Sequence, residues 1–178
     1  MSISVLKKLS EKLGSSLESN VERRSLRLMF QDEARFGRIT DPRSCWAKAP
    51  LRPVINVALI REYVYEYAAV SPQNGALDFM TSETMDTNNM NRFLRQVRGA
   101  YPEDFIVMVL DEASSHKSKD LEIPEHMSLI LLPPYSPELN PAERLWNVLR
   151  RDFFANRVFD SLKQAYRAGR ERLVRTGG

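Results

Sequence analysis

The chain has 178 residues, 43% hydrophobic and 28% charged, with a net charge of +3, which places it among single-domain globular proteins able to bury a core. A lone Cys45 excludes an intrachain disulfide, and with only His116 and His126 beside it a Cys/His zinc cluster is excluded too, so any metal must be held mainly by oxygen. No apolar run reaches the ~20 residues of a membrane span and Met1–Lys8 lacks the apolar core of a signal peptide, so a cytoplasmic protein with no membrane partner is expected.

Val5, Leu6, Leu9, Leu13 and Leu17 recur at helical spacing over residues 3–19 and predict an N-terminal helix or linker covering residues 1–24. The main domain is expected over 25–156. Leu26, Leu28 and Phe30 alternate with Arg27, Met29 and Gln31 as in a strand, and Asp32 continues the apolar side of that alternation. An acid there is costly without a partner. Gly37, Asp41-Pro42, Ala49-Pro50 and Arg52-Pro53 punctuate an irregular stretch. Residues 54–60 are apolar and strand-like. Residues 63–70 are β-rich by residue type, Asn74-Gly75 marks a hairpin, and Ala76–Met80 is the return strand.

Met90, Phe93, Leu94 and Val97 give a helix its apolar face, with Asp86 or Thr87 as cap and Gly99 and Pro102 at its end. Phe105–Leu110 is continuously apolar, as a central strand buried on both faces requires, and Asp111 stands at its carboxyl end. A polar crossover, 114–122, leads to a further apolar strand over Met127–Leu132. A proline-stiffened loop then enters an amphipathic helix from Pro141 to about Phe153. A last helix is expected at the C-terminus, residues 157–178, with arginines (Arg167, Arg170, Arg172 and Arg175) outward. The order predicts an α/β fold: a three-strand antiparallel meander, then two parallel strands, flanked by helices.

Three carboxylates stand out. Asp32 is buried by pattern, and Asp111 lies where open α/β sheets collect ligands. Glu143 has two readings. With Asn140 as N-cap and Pro141 at N1 it completes a capping box; alternatively it heads a polar stripe, with Asn147, Arg150 and Arg151, beside the buried stripe of Ala142, Leu145, Trp146 and Leu149. Two strands and a helix start can bring such acids to one point. Carboxylate oxygens select Mg²⁺ or Mn²⁺, and two ions ~3.5–4 Å apart suit in-line phosphoryl displacement.

Three blocks carry a family resemblance: Phe30-Gln31-Asp32-Glu33-Ala34-Arg35-Phe36-Gly37; Val109-Leu110-Asp111-Glu112-Ala113 with His116-Lys117; and Leu132-Pro133-Pro134-Tyr135-Ser136-Pro137-Glu138-Leu139-Asn140-Pro141-Ala142-Glu143-Arg144-Leu145-Trp146. They resemble the catalytic blocks of bacterial insertion-sequence transposases of the mariner-like superfamily. The resemblance implies a ribonuclease-H-like fold. It also implies that Asp32, Asp111 and Glu143 are the catalytic, metal-holding triad, with two Mg²⁺ or Mn²⁺ ions as cofactor. The implied activity is nicking at the ends of a DNA element, followed by transfer of the freed 3′-hydroxyl strand into target DNA. DNA, as terminal repeats and target, is then the partner, with a possible homodimer. Three features depart from the family. Glu112 stands where Asn is common, Asp111 and Glu143 are only 32 positions apart, and no helix-turn-helix region fits before Leu26. The recognition region is therefore expected as a separately encoded partner.

Arg35, Arg38, Arg43, Lys48 and Arg52 follow Asp32 closely and are candidates for DNA-backbone contacts, together with His116, Lys117 and Arg150. Trp46 reads as a packing residue rather than a base-stacking platform. The alternative to an active enzyme is a silent transposase remnant that binds DNA or a transposase partner. A host nuclease such as a junction resolvase fits the chemistry but not the proline block.

Overall fold

The computed structural model describes residues 24–37, 46–52, 54, 62–111, 118–133, 136–151 and 161. The helix expected over 3–19 lies outside them, as do residues 55–60, 112–117 and 152–160 of the stretches read above and, apart from Ser161, the C-terminal helix expected over 157–178.

Five strands form one sheet: β1 (Ser25–Gly37), β2 (Tyr63–Val70), β3 (Leu77–Ser82), β4 (Asp104–Leu110) and β5 (Met127–Leu131), in the order β3-β2-β1-β4-β5. β1 is antiparallel to β2, and β2 to β3, while β4 runs parallel to both β1 and β5. Helix α1 (Thr87–Ala100) follows β3. A single 3-10 turn (Pro137–Leu139) and helix α2 (Ala142–Leu149) follow β5. This is the expected ribonuclease-H-like mixed sheet. The return strand begins one residue later than read, at Leu77, because Ala76 closes the turn: its carbonyl accepts from Ser71 N–H and its amide donates to Asn74 Oδ1. Gly75 there has φ +73, which glycine adopts without strain.

The two sheet faces carry separate cores. On one, Met29, Tyr67, Ala69, Ile106, Met108 and Leu110 pack under Met90, Phe93, Leu94 and Val97 of α1. Asp86 caps that helix, accepting from Asn89 N–H at 2.9 Å. On the other, Phe105, Val107, Val109, Ile130 and Leu132 meet Phe30 and Leu139. Ala34, Phe36, Val64 and Ala68 hold Trp146 and Leu149 of α2 on that side. Thus β4 is covered above and below, which is why its sequence is apolar without alternation. At the amino ends of β1 and β4, Arg27 pairs with Asp104 at 2.5 Å and lies over the Tyr101 ring at 3.9 Å.

Two expectations are corrected. Trp46 is fully exposed rather than packed, because residues 46–52 are all exposed and give it no core to enter. Helix α2 begins at Ala142 with Pro141 in the capping position, one residue later than expected, although the Asn140 side chain still accepts the Ala142 amide at 3.0 Å.

Candidate active site

The site lies where β1 outruns β4. Their parallel register ends at Phe30 and Val109; β1 continues seven residues further, paired only with β2. Asp32 and Asp111 each stand two residues beyond the last pair, on neighbouring strands and on the same side of the alternation. Asp32 is buried, and Asp111, just past the end of β4, is exposed.

Asp32 is held on both oxygens. Its Oδ1 accepts the Glu33 amide at 2.9 Å, and its Oδ2 accepts the indole Nε1–H of Trp146 at 2.9 Å. Neither donor carries charge. Burial, then the negative charge of Glu143, raise the Asp32 pKa from 3.8 to about 7, and the two hydrogen bonds offset this only in part. Glu143, half-buried in the first turn of α2, therefore feels Asp32 directly.

The capping-box reading of Glu143 fails on its second bond, while the Asn140 side chain serves two partners at once. Its Nδ2 donates to the Gln31 carbonyl at 2.9 Å, and its Oδ1 accepts the Ala142 amide at 3.0 Å. The Glu143 amide donates to the Asn140 carbonyl at 3.2 Å, but the Glu143 carboxylate makes no bond back to the Asn140 amide. Asn140 is buried and ties the start of α2 to the residue before Asp32. Asn140 and Trp146 are the site residues whose roles the sequence reading missed. The signal for Trp146 was its place in the buried stripe, since a buried indole N–H needs an acceptor.

Among the described residues, no group of three His, Cys, Asp or Glu side chains is drawn together closely enough to hold an ion. The chemistry of the three acids nonetheless fits a hard divalent cation: all are carboxylates, and a cation would reverse both forces that keep a proton on Asp32. Glu33 and Glu143 both bear on Asp32, so the surroundings of this buried acid are negative.

The basic candidates divide. Arg35 is exposed and lies over the Tyr63 ring at 4.4 Å. Lys48 and Arg52 are exposed. Arg150, at the end of α2, sits 5.7 Å from the Phe36 ring centroid, beside the Trp146 packing site. Arg38, Arg43, His116 and Lys117 lie outside the described residues. Among the described residues, no helix is long and apolar enough to cross a membrane.

Comparison with known proteins bears on the fold and the family. An uncharacterized protein of Sinorhizobium fredii is 34% identical over 98 residues, covering 54% of this chain and 73% of that protein. Among solved structures, the chain is similar to the Mos1 transposase paired-end complex with left transposon end (TM-score 0.62, 16% identity, 98% of this chain and 56% of that one). It is also similar to the Mos1 mariner paired-end complex with Mn (TM-score 0.58, 18% identity, again 98% and 56%). The chain thus spans about half the length of these solved relatives, and at such identities the likeness is one of fold. Residues 27–165, most of the chain, match the DDE superfamily endonuclease family, and the chain belongs to that family.

Proposed function

We propose that this chain is the catalytic part of a DNA transposase, using Asp32, Asp111 and Glu143 to hold two Mg²⁺ or Mn²⁺ ions. The observation that carries the reading is the buried, uncompensated Asp32. It stands level with Asp111, two residues past the last pair of the adjacent parallel strands β1 and β4, and is coupled to Glu143 on a helix tethered to its own strand. A protein has little reason to bury a carboxylate beside another unless a cation joins them.

When bound, the cations would supply Lewis-acid stabilisation of the attacking and leaving oxygens. The chain's own contribution is placement. Asp32, on a sheet strand, offers one free lone pair on each oxygen, since each already accepts one hydrogen bond. Asp111 approaches from the next strand and Glu143 from the helix start. In the nicking step, a water oxygen bonds to phosphorus and the bond from phosphorus to the 3′ oxygen breaks, leaving a 3′-hydroxyl. That hydroxyl then attacks a target phosphorus and displaces its 3′ oxygen. No protein side chain becomes covalently attached. Arg35, Arg38, Lys48, His116, Lys117 and Arg150 are assigned to phosphate contacts, which position DNA without reading its sequence. Terminal-repeat recognition is assigned to a helix-turn-helix region, and the DNA-bound form to a homodimer or larger assembly.

The test is nicking of DNA carrying the element's ends in Mg²⁺ or Mn²⁺, compared with Asp111→Ala. Nicking that depends on the cation and is abolished by the substitution supports the reading; equal nicking by both proteins refutes it. A second reading, a silent remnant that binds DNA or a transposase subunit, is favoured by the absence of a closed three-acid group among the described residues. Calorimetric titration with Mn²⁺ separates the two: no binding that depends on Asp32 and Asp111 would select the remnant.

A further inference from the structure

We infer that Trp146 is a positioning residue for the cation site, and that its indole reports the occupancy of that site; the inference rests on the cation-binding reading above. The indole Nε1–H reaches Asp32 Oδ2 at 2.9 Å from the middle of α2, across 114 positions of sequence. Trp146 is fully buried, its ring centroid 6.0 Å from that of Phe36 with an interplanar angle of 63°. Leu149, one turn on, packs in the same cluster, so the indole has no room to turn.

The identity of the donor matters. An indole N–H donates once and carries no charge, so it fixes the orientation of the carboxylate without neutralising it. An Arg or Lys in its place would satisfy the carboxylate by pairing and compete with a divalent cation. The Glu33 amide does the same for Oδ1 at 2.9 Å. Asp32 is therefore presented in one rotamer, with an uncharged donor on each oxygen. The same bond joins the helix that carries Glu143 to the strand that carries Asp32, so orienting one ligand also sets its distance to the other. Outer partners of this kind change metal affinity by about 10–100-fold when removed.

The bond also gives the site an optical signal. The chain has two tryptophans, Trp46 and Trp146. Trp46 is fully exposed, whereas the Trp146 indole is bonded to the carboxylate that would take the cation. In the full chain carrying Trp46→Phe, all tryptophan emission comes from Trp146. Addition of Mg²⁺ should change that emission saturably, with a midpoint equal to the dissociation constant measured by calorimetry on the same protein. Trp146→Phe keeps the aromatic packing and removes the donor; it should bind Mn²⁺ about 10–100-fold more weakly while remaining folded by circular dichroism. Because that variant can fail on folding alone, the indole nitrogen of Trp146 is also labelled isotopically in the otherwise unaltered chain. Its N–H resonance should shift on addition of Mg²⁺. Calorimetric binding with neither an emission change nor a resonance shift would overturn the inference, as would a folded Trp146→Phe with undiminished Mn²⁺ affinity. Absence of calorimetric binding to the unaltered chain would instead refute the cation-site reading on which the inference stands.

Discussion

The side chain of Asn140 reaches back 109 positions to the main-chain carbonyl of Gln31, at 2.9 Å, and with its other end holds the Ala142 amide at 3.0 Å. One buried amide thus joins the last residue before Asp32 to the first residue of α2. This accounts for the position of Glu143 better than helix capping does, because the tether acts between the two elements rather than within one.

Asn140→Ala removes both bonds at once and leaves a carbonyl and an amide without partners in a buried setting. Each such group costs about 1–3 kcal/mol. The expected loss is about 2–4 kcal/mol in urea unfolding, larger than an ordinary helix-cap loss of ~1 kcal/mol. Asn140→Asp keeps the acceptor for Ala142 but loses the donor to Gln31 and adds a charge near Asp32 and Glu143, so it should be no more stable than the alanine variant. A loss below about 0.5 kcal/mol for Asn140→Ala would show that the tether contributes nothing.

The pH dependence of the metal-free protein follows from Asp32. Its folded pKa is raised from 3.8 to about 7, first by burial and second by Glu143. The folded state therefore holds a proton that the unfolded chain has already released between those values. The stability this contributes is complete below about pH 4 and is lost as pH rises through about 7. In chelator, Asp32→Asn should remove this decline, seen as a flatter plot of urea midpoint against pH. With Mg²⁺ or Mn²⁺ the wild-type trend should oppose it, because a cation requires the ionised carboxylate and its affinity rises with pH up to about 7. A metal-free wild type whose stability climbs over this interval would contradict the assignment.

Which parts of this arrangement could be read from residues alone follows from the range of the interactions. Phe105–Leu110 is legible because a strand buried on both faces must be apolar throughout. Asp32 is legible as an acid on the apolar side of an alternation, and it is indeed buried. Asn140-Pro141-Ala142-Glu143 misleads because a local capping pattern and a long-range tether use the same residue types. Only the docking of α2 on β1 decides between them, and a propensity argument contains no term for that docking. Trp146 was legible as buried but not as a donor to Asp32, since the two residues meet only once the sheet and helix are assembled. Trp46 shows the converse: its residue type favours burial, but it is exposed, as are the described residues 47–52 that follow it.

Gln31 is the least comfortable buried residue. Its Nε2 and Oε1 have no hydrogen-bond partner, and the same holds for Ser71 Oγ and Asp78 Oδ2. All three side chains lie on the α1 side of the sheet around Ala69: Gln31 and Asp78 pair with it on either side, and Ser71 follows two residues on. Gln31→Met has nearly the same length and no polar atom. It should raise stability by about 1 kcal/mol in urea unfolding, since removing an unsatisfied buried group is neutral to favourable. A drop of that size would instead show that ordered water completes the bonds of Gln31.

Glu143 should separate stability from binding. Its charge is the second largest force raising the Asp32 pKa. Glu143→Gln removes that repulsion while keeping the size of the side chain. Without metal and above about pH 7, where Asp32 is ionised, the variant should be more stable than wild type by on the order of 1 kcal/mol, a value set by two charges interacting near a protein surface. Below about pH 5, where Asp32 keeps its proton, the gain should vanish. In the same variant, Mn²⁺ affinity should fall, because an amide oxygen replaces a charged one. Opposite signs for the two effects are expected of a residue kept for the ion and not for the fold. If Glu143→Gln lowered stability above about pH 7 in chelator, Glu143 would be a structural residue of α2, and its place beside Asp32 would need another explanation.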